Sequence, residues 1–375
     1  MIERDQWGYY MPTKIVFGSG VISKLKDIVD RIHPTMILLV TGKNAMQRFG
    51  IIDKIKKLLK SYNTIIYNKV EPNPGITTIK NGIEILKENG CDLVIGLGGG
   101  SAIDAAKAIA VLSKNDGEVE DYLYSRRKIV RRGVPIIAIP STAGTSSEIT
   151  KFSVITLKNT KKTISHDFMY PNFAIIDPIL TLTVPRFITA STGIDAFCHA
   201  IEAYWAKNSN PISDIFALRA IQLIFDNLRD CCNNLKDIKL REKIAMGSLF
   251  AGLAFGNTRS TAIHSVSYPI TAIFDVPHGQ ACALTLPLFI KFNSKVMKER
   301  ILDIMNIIGA KTINEGIEKI NELMSDIGLA TKLSEVGINR GDIDIIVRNG
   351  FTGNIDNNPR ELNAIELRKM LMEIL

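Results

Sequence analysis

The sequence predicts an α/β N-terminal domain built on a parallel sheet, followed by an all-α C-terminal domain. Three observations carry that expectation. Short β-branched runs alternate with helical patterns through the first half of the 375 residues. One of those runs passes through a glycine turn directly into a helix. Beyond about residue 180 the strand-like runs stop and the pattern becomes almost wholly helical. The expected units are therefore residues 1–180 and 181–375, and a chain of this length calls for more than one domain.

The strand runs are KIVFG (14–18), MILLVTG (36–42), NTIIYN (63–68), DLVIGLGGG (92–100) and PIIAIPS (135–141). Among them, VISKLKDIVDRI, GIIDKIKKLLKSY and TTIKNGIEILKENG repeat apolar residues at spacings of three and four, which is one face of a helix. Strand, helix, strand in repetition is the pattern of a parallel sheet wrapped by helices. After FAIIDPILTLTVP (173–185) come PRFITASTGIDAFCHAIEAYWA, PISDIFALRAIQLIFDNLRDCCNN, KLREKIAMGSLFAGLAFGN and, last, LNAIELRKMLMEIL. Pro and Gly fall mainly between these stretches, where helices end.

Composition narrows the class. Apolar residues make up 46% and charged residues 22%, the balance of a soluble globular protein. The opening MIERDQWGYYMPTK has no apolar leader core, and no run approaches the ~18 apolar residues of a membrane span, so a cytoplasmic protein with no membrane partner is expected. Cys91, Cys198, Cys231, Cys232 and Cys282 show no CxxC pairing and read as buried, reduced thiols. Lys and Arg exceed Asp and Glu by 46 − 38 = 8. That excess is spread along amphipathic helices without a recognition motif, so no nucleic-acid partner is expected. Its densest cluster, SRRKIVRRG (125–133), reads as a solvated loop.

VIGLGGGSAIDAAKAIAV (94–111) is an apolar strand, a glycine turn and a helix. Glycines let backbone approach a ligand closely, and the free amides at the start of the following helix attract phosphate. Gly98, Gly99, Gly100 and Ser101 are therefore candidates for a pyrophosphate cradle. Asp104 is placed in the first turn of that helix, capping its amides in a supporting role. Ser101 stands where a dinucleotide fingerprint has its third glycine, so a plain tight turn explains this stretch equally well. The next strand ends in IIAIPSTAGTSSE (136–148), whose hydroxyls, including Thr142, Thr145 and Ser147, form a second phosphate-compatible loop. Two such loops at the ends of successive strands favour one nucleotide site.

In the helical half, Asp195 and His199 in GIDAFCHAIE lie four residues apart, on one face of a helix, and can share an ion. A lone pair of this kind is better explained by a core histidine. The chain has only five histidines, however, and His264 and His278 stand in apolar or turn settings in the same half. Asp195, His199, His264 and His278 make a full ligand shell for a divalent first-row metal. No thiolate belongs to the set, which suits iron(II) or zinc. His33 and His166 read as structural or surface residues.

Carried by LGGGSAIDAAKAIA, IPSTAGTSSEIT, AIIDPILTLTVP, STGIDAFCHAIEAY, SLFAGLAF and the His264 and His278 segments, in that order, the chain resembles the iron-containing (group III) alcohol dehydrogenases over essentially its whole length. The resemblance implies a Rossmann-like N-terminal domain, a helical C-terminal domain, the architecture shared with dehydroquinate synthase, and a cleft holding dinucleotide and metal. It makes Asp195, His199, His264 and His278 the metal ligands. Gly99, Gly100 and Ser101 become the pyrophosphate loop, Thr142 and Thr145 the second loop, Asn73 a ribose-side asparagine, Lys162 a lysine reaching the ribose and Phe255 a substrate-pocket aromatic. Two positions depart from the pattern. Gly42, followed by Lys43, stands where NAD-preferring members have an aspartate, which leaves space and positive charge for a 2′-phosphate. Tyr268 stands where many relatives have a histidine proposed to pass protons, in or beside the substrate pocket.

The function so implied is reversible hydride transfer between a small primary alcohol or diol and the nicotinamide. Iron(II) is the expected metal with zinc allowed, NADP(H) is preferred with NAD(H) allowed, and the chain is expected to act as a homodimer or higher homo-oligomer. A glycerol dehydrogenase-like or dehydroquinate synthase-like enzyme is the alternative within the superfamily. A nucleotide-binding protein without catalysis is the alternative outside it.

Overall fold

The structure, a computed structural model, describes residues 6–158 and 160–375. It divides into two compact units. One comprises Met11–Thr142 and Ser146–Thr183; the other comprises Val184–Leu375, the described N-terminal residues up to Tyr10, and Ala143–Thr145. Placing one boundary near 180 thus misses a short excursion. Gly144 lies so close to the helix backbone at Thr192 that an added Cβ would come within 2.7 Å of the Thr192 side chain.

Among the described residues the first unit has eight strands: β1 Lys14–Phe17, β2 Met36–Gly42, β3 Asn63–Val70, β4 Leu93–Gly98, β5 Ile136–Pro140, β6 Phe152–Leu157, β7 Thr160–Ser165 and β8 Phe173–Ile176. Six of them form one sheet in the order β1-β8-β5-β4-β2-β3, and every pairing in it is parallel. Its helices are α1 Leu25–Ile32, α2 Ala45–Arg48, α3 Ile51–Leu58, α4 Ile76–Glu88, α5 Gly100–Leu112 and α6 Val119–Leu123. The central strands are buried on both faces, as a parallel sheet covered by helices requires. Leu38, Val40, Val94 and Ile136 feed one core, whereas Ile37, Leu39, Ile95 and Ile137 feed the other. The antiparallel hairpin β6–β7 is a feature the sequence reading did not anticipate.

Strand order fixes where a ligand can enter. From β2 the chain goes outward to β3, then returns to place β4 on the opposite side of β2. Carboxyl ends of neighbouring strands whose connections leave in opposite directions open a crevice, the switch point of such sheets. Thr41 is in register with Leu97, so Gly42 and the Gly98 turn flank that crevice.

The second unit contains α7 Arg186–Trp205, α8 Pro211–Asn233, α9 Ile238–Thr258, α10 Ala262–Phe274, α11 His278–Asn293, α12 Lys298–Ile307, α13 Ile313–Asp326, α14 Ile343–Asn349 and α15 Ala364–Glu373. From Thr189 onward α7 is buried almost all round, so it is a central helix rather than an amphipathic cover. Gly193 lets α8 approach it, since a Cβ there would lie 2.3 Å from Leu228. Among the described residues, no helix is long and apolar enough to cross a membrane.

Candidate metal centre and dinucleotide turn

In the helical unit, three helices bring four widely separated side chains together. α7 presents Asp195 and His199 from consecutive turns, α10 presents His264 from its first turn, and α11 begins at His278. Oδ1 of Asp195 lies 3.4 Å from His264 Nε2 and 3.8 Å from His278 Nε2, while its Oδ2 lies 3.9 Å from His199 Nδ1. The His199 ring stacks at 4.0 Å between centroids on both His264 and Phe255. Tyr268 stands 6.0 Å from the His278 ring. All six residues assigned to metal or substrate from sequence therefore gather in one place.

The chemistry of the cluster calls for a cation. Asp195 Oδ1, His199 Nδ1 and His264 Nε2 are buried and have no hydrogen-bond partner, and buried polar atoms without partners are both costly and rare. Burial raises the Asp195 carboxyl, but the imidazoles of His199, His278 and His264 more than reverse this and hold it well below the usual carboxylate range. Burial, reinforced by the neighbouring His264, lowers His199 to about 4, so at neutral pH that ring is uncharged and has a lone pair to offer. An ionised carboxylate beside the neutral His199 ring suits a divalent first-row ion.

Two members of the cluster were not singled out from sequence. Cys282, one turn after His278 on α11, has its Sγ 4.0 Å from His278 Nε2. Ligand atoms from Asp195, His264, His278 and Cys282 all lie within 4.8 Å of one another. A thiol thus stands beside the expected ligands, and His199 lies outside this tighter group; all five cysteines are free and buried as anticipated. The other is Glu202, fully buried and two turns beyond Asp195 on α7. It accepts hydrogen bonds from the backbone amides of Thr261, Ile263 and His264, and its Oε2 meets His264 Nδ1.

In the α/β unit, β4 runs into α5 through Gly98, whose φ of 144° is open only to glycine, with Gly99 as the residue before the helix. A Cβ on Gly99 would lie 3.5 Å from Thr142 Oγ1, so the first loop and the start of the second are neighbours. Asn73, in the left-handed region at φ 55°, donates its backbone amide to Ser101 Oγ at 3.1 Å. Gly98, Gly99, Gly100, Ser101, Asn73 and Thr142 thus surround the N-terminus of a 13-residue helix, a setting that attracts anions. Thr145 belongs with the helical unit.

Asp104 does not cap α5. The helix begins at Gly100, which puts Asp104 past the first turn, too far along to reach the free amides. Its Oδ1 instead accepts from Ser147 Oγ and sits 3.1 Å from Lys107 Nζ, and its Oδ2 accepts from the Val154 amide at 2.9 Å. Asp104 and Ser147, both assigned to the cofactor from sequence, spend these groups on holding the second loop against α5. Lys162 lies with its Nζ 4.9 Å above the Tyr124 ring. At the switch point, a Cβ on Gly42 would meet only Val70 O at 3.7 Å, so the space is genuine. Lys43 is electrostatically engaged with Glu71, whose carboxylate, pushed up by burial, is brought below its usual range by bonds from Thr78 and Gly75 and by that lysine.

Comparison with known proteins agrees with this geometry. Residues 12–178 match the model of the iron-containing alcohol dehydrogenases, and residues 189–375 that of the C-terminal region of the Fe-containing alcohol dehydrogenase family. The chain is 36% identical over 343 residues to long-chain-alcohol dehydrogenase 1 of Geobacillus thermodenitrificans, covering 88% of this chain and 87% of that one. It is 35% identical over 382 residues to the NADPH-dependent butanol dehydrogenase of Clostridium saccharobutylicum, covering 96% of each. The crystal structure of sulfoacetaldehyde reductase from Bifidobacterium kashiwanohense in complex with NAD+ superposes with a TM-score of 0.93 at 34% identity, covering 98% of both chains. With both halves matched and the expected acid and histidines drawn together, the chain belongs to the iron-containing alcohol dehydrogenase family and is an oxidoreductase.

Proposed function

We propose that the chain interconverts a small primary alcohol or diol with its aldehyde, using NADP(H) in preference to NAD(H) and a divalent ion, iron(II) foremost, held by Asp195, His199, His264 and His278. The observation that carries the reading is the set of partnerless buried atoms on Asp195, His199 and His264, which one shared cation would satisfy together. When bound, the ion supplies Lewis acidity toward the substrate oxygen and the nicotinamide carries the hydride.

The chain's own residues account for the rest. Three neutral imidazoles and one carboxylate cancel one of two positive charges, leaving the site electrophilic. Phe255, stacked on His199, gives the pocket an apolar wall, and apolar walls exclude water and strengthen electrostatic interactions within. In the other unit, the amides at the start of α5, with Ser101 and Thr142, are suited to the pyrophosphate. Room at Gly42 favours a 2′-phosphate more than Lys43 does, because Glu71 already balances part of that lysine's charge. Zinc is a second reading of the metal, favoured by Cys282, whose thiol completes a set of one carboxylate, two imidazoles and one sulfur.

The test is elemental analysis of anaerobically purified protein, combined with oxidation of NADPH and NADH by short aldehydes. One equivalent of metal and a higher kcat/KM with NADPH are expected. Asp195→Ala and His264→Ala should retain the fold by circular dichroism, lose the metal and lose at least about 10³-fold in kcat/KM, the scale expected when the electrophile is removed. Full turnover in either variant would refute the assignment.

A further inference from the structure

We infer that Glu202 is a positioning residue that sets the tautomer of His264 and locks α10 in register with α7, so that the acid and imidazoles of the centre meet. The inference rests on the metal reading above and goes beyond it to a residue that ligates nothing.

Glu202 is a carboxylate with no exposed surface, a costly state for a charge unless its oxygens are fully engaged. They are. Oε1 accepts from the Thr261 amide at 2.9 Å, Thr261 Oγ1 at 2.7 Å, the Ile263 amide at 2.9 Å and the His264 amide at 3.3 Å; Oε2 meets His264 Nδ1. Three of these donors are amides at the start of α10, which no residue inside that helix can satisfy. Thr261 offers α10 no side-chain cap of its own, and its hydroxyl also receives the Trp205 indole at 2.9 Å. Helix α10 is therefore capped from α7, the same helix that carries Asp195 and His199.

The consequence lies in one proton. A carboxylate oxygen facing His264 Nδ1 can only accept, so the ring must carry its hydrogen on Nδ1. In the neutral ring Nε2 is then left with a bare lone pair, and Nε2 is the buried, partnerless atom 3.4 Å from Asp195 Oδ1. A histidine that holds a metal through one nitrogen and donates from the other to a carboxylate is oriented and made more basic by that bond.

Glu202→Gln separates this role from mere capping. The glutamine carbonyl has to take the Oε1 position, where four donors converge, because an amide nitrogen there would face four hydrogens. Its NH₂ then points at His264 Nδ1 as a donor, and the ring proton moves to Nε2, toward the ion. The cap survives while the tautomer inverts. The experiment compares wild-type, Glu202→Gln and Glu202→Asp proteins by cobalt(II) and zinc(II) competition against a chromophoric chelator, with thermal unfolding of the metal-free proteins alongside. Expected are closely similar melting of the metal-free wild type and Gln variant, a 10- to 100-fold weaker metal affinity for Gln, and partial recovery with Asp, which restores an acceptor. Equal metal affinity in wild type and Gln variant would overturn the inference and leave the metal reading standing. Absence of metal binding by the wild type would bring down that reading and this inference with it.

Discussion

Removing the charge of Glu148 should make the α/β unit more stable at alkaline pH and change little under acid. Glu148 lies beside the hydroxyl loop, buried at 5% exposure. Burial lifts its carboxyl from 4.5 to about 7, with its own backbone amide and Lys107 pulling the other way. Because the folded value is the higher one, the folded chain holds the proton more tightly than the unfolded chain. The favourable contribution is complete below pH 4.5 and lost as pH rises through about 7. At about 1.4 kcal/mol per pH unit, that interval amounts to about 3 kcal/mol lost by pH 8. Glu148→Gln keeps the shape and removes the titration. Urea unfolding of both proteins between pH 5 and pH 8 should show a stability difference that is small at the acid end and grows to a few kcal/mol in favour of Gln. A difference independent of pH, or one that grows toward acid, would refute the reasoning, since it would mean that the folded chain holds Glu148 ionised throughout.

Two further outcomes follow from the glycines. Gly42→Asp places a carboxylate in the open space at the end of β2, where its Cβ meets only Val70 O at 3.7 Å. The NADPH-to-NADH ratio of kcat/KM should fall at least about tenfold, the order of one unfavourable charge pair near a phosphate; an unchanged ratio would show that the ribose lies elsewhere. Gly279→Ala puts a Cβ 1.8 Å from the backbone oxygen of Ser191, so the first turn of α11 must move off α7 and carry His278 with it. Thermal unfolding should report a loss of at least about 1–3 kcal/mol, and elemental analysis a loss of bound metal.

How much of this was legible in the sequence differs from residue to residue. The parallel sheet could be read because its central strands are continuous apolar runs, a pattern that burial on both faces imposes. Asp195 and His199 could be read because helical spacing alone puts them on one face, and His264 and His278 because histidine is scarce in this chain. The hairpin β6–β7 was not anticipated, because the Lys161-Lys162 pair breaks any apolar alternation in its second strand. Glu202 stands in the same quoted stretch as Asp195, yet its meaning depends on the amides of Thr261, Ile263 and His264, about 60 residues away. Periodicity along one helix carries no information about which helix end will be docked against it.

Lys107 shows the same limit most sharply. In DAAKAIAV it looks like the solvated lysine of an amphipathic helix, yet it has no exposed surface. Its ammonium donates to the carbonyls of Ser147 at 3.0 Å, Thr150 at 3.3 Å and Phe152, and pairs with Asp104. Burial lowers its pKa and Asp104 opposes that shift, so the charge is tolerable only because partners from the following loop close over it. The same partners explain why Asp104 does not cap as expected: an acid near a phosphate-type turn fits a capping role as well as a bracing one. What distinguishes the two is whether a buried cation competes for the carboxylate. Here Lys107 does, and Ser147 shares the same carboxylate oxygen with it.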